Sequence, residues 1–128
     1  TVESILLYGC EAWTTTESQE KSFNGTYTRM LRKALNEHWS RHMSNDELYG
    51  DIPRASDKIA SRRLQLAGHC CRHPELSCQP LVLWEPTHGV RRRGRPKKTY
   101  IDVLIRDAGA ATRGELATMM VDRCEWRK

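Results

Sequence analysis

The sequence predicts a mainly α protein: a small helical domain of about six helices, with one basic loop and at most a short extended segment. Three observations lead there. Apolar residues recur at steps of three and four along much of the chain, the period of one helix face. Thr16 with Gln19, Ser44 with Glu47 and Thr112 with Glu115 have the spacing of a capping box, which opens a helix. The cations concentrate in one stretch, RRRGRPKK at residues 91–98, which is not helical. Gly94 weakens a helix there, and Pro96 lacks the backbone donor that a helix needs.

The elements follow in order. Residues 1–13, TVESILLYGCEAW, are apolar nearly all round, which predicts a helix buried on more than one side. Thr16 caps a long helix to about Leu35, with Phe23, Tyr27, Met30, Leu31 and Ala34 on its inner face. Arg29, Arg32 and Lys33 fall on its outer face, and Gly25 within it costs about 1 kcal/mol relative to Ala. Ser44 opens a short helix through Leu48 and Tyr49 that Gly50 stops. Past the breaker at Pro53, Ser56 is the expected cap of a helix to about Arg72. Its inner face takes Ile59, Arg63 or Leu64, Leu66, Ala67 and Cys70, and Pro74 lies beyond its end. Residues 80–84, PLVLW, read as a short extended run. Thr99 or Asp102 starts a helix carrying Ile101, Leu104, Ile105 and Ala108, with Gly109 as its C-cap. The last helix begins at Thr112 and carries Leu116, Met119, Met120 and Cys124, with Trp126 near its end.

Composition limits the classes of function. In 128 residues, 38% are hydrophobic and 29% charged, which fits one globular domain or a piece of one. The net charge is +5 and the octet alone carries six cations, so the other 120 residues sum to −1. Basicity confined to one patch is the footprint of polyanion binding. Five cysteines, two of them adjacent, with no secretory leader, fit reduced thiols in a nuclear or cytoplasmic protein that is not secreted. No apolar run approaches the roughly 18 residues of a membrane span, so no membrane partner is expected. The chain opens without an initiator Met, and the expectation is a fragment.

The octet is the main candidate site: Arg91, Arg92, Arg93, Gly94, Arg95, Pro96, Lys97 and Lys98. Pro96 fixes φ and Gly94 permits close backbone approach, so the segment suits an extended hook. Such a hook fits a narrow minor groove, where arginines meet an enhanced negative potential, or grips phosphates without reading sequence. The same composition also suits a solvated loop or a nuclear-import signal. A second candidate is a basic strip in which Arg62, His69 and either Arg72 or His73 fall to one side at steps of three, four and seven, and Arg63 beside it is a further candidate contact. Its plainer reading is a helix C-terminus favoured by cations. Of the four tryptophans, Trp84 stands seven residues before Arg91 and is placed to stack on a base, whereas Trp13, Trp39 and Trp126 fit core or interface roles. Cys70, Cys71, His73 and Cys78 lie within nine residues, but adjacent cysteines do not easily meet on one zinc tetrahedron, so no structural zinc is expected. No nucleophile elbow, phosphate-binding loop, zinc-protease helix or paired aspartates occur. The expectation is a chain without catalytic residues, cofactor or small-molecule substrate.

Several motifs together resemble a known family. Ile5-Leu-Leu-Tyr-Gly9-Cys-Glu-Ala-Trp13 is similar to the segment just after the polymerase palm in reverse transcriptases of non-LTR, LINE-type retrotransposons. Tyr27-Thr-Arg-Met-Leu-Arg32 resembles the helix that follows it there. Ala60-Ser-Arg-Arg-Leu64 with Gly68, His69 and Arg72 resembles a third motif. Leu83-Trp84-Glu-Pro86, then Arg93-Gly-Arg-Pro96 and Thr99-Tyr-Ile-Asp102, resemble a fourth, and Asp122, Arg123 and Trp126 match the tail. The resemblance covers nearly the whole chain. It implies the thumb and C-terminal region of an RNA-directed DNA polymerase from a mobile element: thumb-like helices over 1–43, and a helical module over 44–128 with its basic loop at 87–98. The implied partners are RNA or DNA and an upstream polymerase core. The implied role is binding and positioning, because the paired aspartates that hold Mg in such a polymerase have no counterpart in this chain.

Overall fold

The structure is a computed structural model that describes residues 2–84, 93–94, 98–124 and 126, with only the backbone for Trp39. The protein is mainly α. Its helices are α1 Val2–Leu6, α2 Glu17–Ala34, α3 Asn45–Tyr49, α4 Ala55–Arg72, α5 Gln79–Val82, α6 Tyr100–Ala108 and α7 Arg113–Val121. Single 3-10 turns lie at Cys10–Ala12 and Trp39–Arg41, and no strand occurs among the described residues.

The chain divides into two compact units, residues 15–61 and residues 1–14 with 62–128. The division differs from the one expected at residue 43. The helices α2 and α3 share a unit, and the boundary falls inside α4, between Ser61 and Arg62.

In the unit of residues 15–61, both expected capping boxes form. The Thr16 hydroxyl accepts from the Gln19 N–H while the Gln19 side chain accepts from the Thr16 N–H at 2.9 Å. Ser44 and Glu47 do the same at 3.1 and 3.0 Å. Tyr27, Leu48, Tyr49, Ala55 and Ile59 are buried. A polar network runs among them: the Thr28 hydroxyl lies 2.9 Å from the Tyr49 hydroxyl and donates to the Asn24 carbonyl at 2.7 Å. The rings of Tyr27 and Tyr49 tilt together at 6.1 Å.

Two expectations in this unit are corrected. Ser56 does not cap α4, which already begins at Ala55. The Ser56 N–H donates to the Asn24 side-chain oxygen at 2.9 Å, and the Asn24 amide donates to the Ser56 hydroxyl at 3.0 Å. An orphan donor of the first turn of α4 is thus satisfied from α2. Arg32 does not point outward with Arg29 and Lys33. It donates to the Met43 carbonyl at 2.9 Å and the Asn45 side chain at 3.0 Å, bracing the start of α3.

In the other unit, the expected first helix is broken. The helix α1 ends at Leu6, and Gly9 adopts φ 66°, the left-handed region that glycine enters without steric cost. Leu7 and Cys10 are fully buried, whereas Ile5 is 81% and Tyr8 84% exposed, so all-round burial is not realised. The core gathers Ala67 and Cys70 of α4, Val82 of α5, Ile101 and Leu104 of α6, Ala110, and Leu116 and Met120 of α7. Leu64 packs on its edge, while Leu66, expected inside, is exposed.

The expected extended run at 80–84 is also corrected. Residues Gln79–Val82 are helical, with Pro80 in the first turn, where no backbone donor is required. Thr99 and Asp102 form a full capping box, and Gly109 closes α6 at φ 68°. The third box forms by half: Thr112 accepts from the Glu115 N–H at 3.2 Å, but Glu115 reaches past Thr112 to the Ala111 N–H at 2.7 Å. The helix α7 stops at Val121, so Cys124 lies beyond it and is exposed.

Candidate nucleic-acid interface

Two buried residues flank the basic segment and form its roots. Val82 at the end of α5 and Ile101 at the start of α6 belong to the same apolar cluster. Around them the backbone is tied down. The Arg113 guanidinium donates to the Leu83 carbonyl, and the Tyr100 hydroxyl donates to the Glu11 carbonyl at 2.9 Å. Burial pushes the Tyr100 phenol up to about 12, so it remains a protonated donor at neutral pH.

Between these roots, Trp84 is 61% exposed, as a stacking platform needs to be. Arg93 and Gly94 are exposed in a bend, and Lys98 is half-buried beside the Thr99 cap. Arg91, Arg92, Arg95, Pro96 and Lys97 lie outside the described residues. At the C-terminal root, the Thr99 N–H and hydroxyl hold the Asp102 carboxyl below its usual range, with the Lys98 charge adding to the effect. The Asp102 carboxylate is therefore committed to the cap.

The strip on α4 does not survive as a strip. Arg63, a candidate contact residue, is 1% exposed and forms an ion pair with Asp107, whose carboxylate also accepts from Arg106 at 2.7 and 2.9 Å. It is a core residue and presents nothing to a polyanion. Arg72 donates to the Met120 carbonyl at 2.9 Å, near the end of α7. Arg62 is half-buried and donates to the Leu7 carbonyl at 3.3 Å. His69 is exposed, with its ring 4.5 Å from that of His73. His73 in turn lies 2.8 Å from Glu75. A backbone hydrogen bond, and then His73, hold the Glu75 carboxyl low. Of Arg62, Arg63, His69 and Arg72, His69 alone remains exposed.

Among the described residues, no group of three or more His, Cys, Asp or Glu side chains could hold a metal ion. The cysteines diverge as a helix demands: the Cys70 sulfur lies 2.7 Å from that of Cys78, while the Cys71 sulfur turns to the Met120 sulfur at 3.7 Å. No helix among the described residues is long and apolar enough to cross a membrane.

Three positions shape this unit in roles that the sequence did not assign them. Asp107 closes the buried ion pair 44 residues away from Arg63. Arg113 braces the N-terminal root of the loop. Gly68 makes room for the Trp126 indole, whose N–H donates to the Leu64 carbonyl at 2.9 Å; a Cβ at Gly68 would collide with that ring. For Gly68 a signal existed, since a glycine inside a helix needs a packing reason. For Asp107 there was none, because a partner far away in sequence leaves no periodic trace.

The described residues form a small mainly α protein with buried roots on both sides of the cationic segment. Comparison of the chain with protein-family models, with curated proteins and with solved structures finds no match in any of the three.

Proposed function

We propose that the chain is a nucleic-acid-binding C-terminal part of a non-LTR retrotransposon reverse transcriptase. In this reading it positions template or target RNA or DNA through backbone phosphates and holds no catalytic centre of its own. One observation carries the reading: six cations in eight residues stand in a chain otherwise near neutrality, and both roots of their loop are set in one core. An anchored cationic loop limits the entropy lost when phosphates are gripped. The exposed Trp84 adds a base-stacking surface next to the loop. The ordered motifs of the sequence supply the family.

The test is binding of labelled single-stranded RNA, duplex DNA and RNA–DNA hybrid to the whole chain and to a variant with Arg91, Arg92, Arg93 and Arg95 changed to Ala. The expected outcome is weaker binding of every ligand by the variant. A variant that binds as well as the parent overturns the role of the loop. Loss confined to A·T-rich duplex would instead favour a minor-groove hook.

A second reading, a module that docks a polymerase core, draws on Val2, Ile5 and Tyr8, three large apolar side chains exposed in and just after α1. Exchange of Ile5 and Tyr8 for Ser would then abolish association with that core and leave nucleic-acid affinity intact.

A further inference from the structure

The C-terminal end of α4 and the N-terminal end of α5 bring two thiols together. The sulfurs of Cys70 and Cys78 lie 2.7 Å apart, longer than the ~2.05 Å bond of a disulfide but already in contact. Both are free thiols. They border an apolar hollow of about 260 Å³ lined by Ala12, Leu66, Leu81, Val82 and Tyr100. No side chain in that lining competes for the sulfurs as a base or a metal ligand. The other three cysteines are placed differently: Cys71 faces Met120, Cys10 is buried at the 3-10 turn, and Cys124 is exposed beyond α7.

We infer that Cys70 and Cys78 form a redox site, a dithiol that hydrogen peroxide converts to an intramolecular disulfide tying α4 to α5. Cys78 is half-buried and Cys70 is 1% exposed, so the oxidant reaches Cys78 first. The Cys78 sulfur attacks one peroxide oxygen and breaks the O–O bond, giving a sulfenic acid and hydroxide, which leaves as water with the thiol proton. The Cys70 sulfur then attacks the Cys78 sulfur and displaces the second hydroxide, which takes the Cys70 proton and leaves as water. Two thiols are oxidised by two electrons, and one peroxide is reduced to two waters. Burial pushes the Cys70 thiol up to about 11, so closure, which needs the Cys70 thiolate, is faster at alkaline pH.

The site rests on geometry alone and is independent of the nucleic-acid reading. The whole chain, treated with hydrogen peroxide and digested with trypsin without reductant, tests it. Cleavage after Arg63 and Arg72 places Cys70 and Cys71 on peptide 64–72 and Cys78 on peptide 73–91. The expected product is these two peptides joined, 2 Da lighter than their sum, together with a rise of several degrees in the thermal midpoint. The link persists in Cys71→Ser and is lost in Cys78→Ser, and Cys78→Ser also abolishes the thermal shift. Free thiols at both positions after treatment, linkage only between molecules through Cys124, or a link lost in Cys71→Ser overturns the site.

Discussion

The two units of this chain are held together in different ways. The unit of residues 1–14 and 62–128 closes on an apolar cluster drawn from four helices and also buries the Arg63–Asp107 ion pair. The unit of residues 15–61 buries few aliphatic side chains and relies on hydroxyls and an amide: Asn24, Thr28, Tyr49 and Ser56. An apolar cluster fails where a charge loses its partner or a ring loses its space. A polar network fails by single hydrogen bonds, each of about 1 kcal/mol. The difference predicts which substitutions hurt most.

The largest effect belongs to the buried ion pair. Asp107→Ala leaves Arg63 charged, buried and without its carboxylate, and should reduce stability by about 3–5 kcal/mol in denaturant unfolding. A loss below about 1 kcal/mol would mean that Arg63 escapes to solvent. Next comes Gly68→Ala, which drives a methyl into the Trp126 indole and should cost about 1–3 kcal/mol, with a change in tryptophan emission. Combining it with Trp126→Ala should give less than the sum of the two single losses, because both act on one contact.

In the polar unit, Asn24→Ala removes the acceptor for the Ser56 N–H and the donor to the Ser56 hydroxyl, for about 1–2 kcal/mol. Equal losses for Asn24→Ala and Asp107→Ala would erase the contrast between the units. The smallest effect is at a cap. Thr99→Ala should cost about 1 kcal/mol near neutral pH. The pH dependence has a definite sign. The Asp102 carboxyl is depressed in the folded chain, so its contribution is complete above the ordinary carboxylate value of about 3.9 and is lost as pH falls through the folded value. Thr99→Ala should therefore narrow the gap to the parent in acid, as measured by thermal midpoints between pH 7 and pH 2.

What the sequence made legible follows the same physical divide. Helix starts at Thr16, Ser44 and Thr112 were readable because the two residues of a capping box lie within four positions, whereas the start near residue 99 stayed open between Thr99 and Asp102. The stop at Gly109 was readable because only a left-handed residue closes a helix in that way. The α5 segment was misread because a run of four or five apolar residues has no period long enough to separate strand from helix. The cap of α4 was misassigned because the group that completes it, Asn24, lies 32 residues upstream. At the candidate site, the cations were legible as charge and Ile101 as a core position, whereas Val82 was read only as part of an extended run. Arg63 stays open in the sequence between the inner face and a contact role, because an arginine at that helical position looks the same whether or not an aspartate lies opposite it.

The central claim is that the loop between Trp84 and Thr99 grips phosphates, and salt tests it most directly. Each neutralised phosphate on a single strand contributes roughly −0.7 to the slope of log affinity against log salt. The claim predicts a steep slope for the parent chain on single-stranded RNA. It also predicts a slope shallower by roughly 3 when Arg91, Arg92, Arg93 and Arg95 are all Ala. Identical slopes for parent and variant would contradict it.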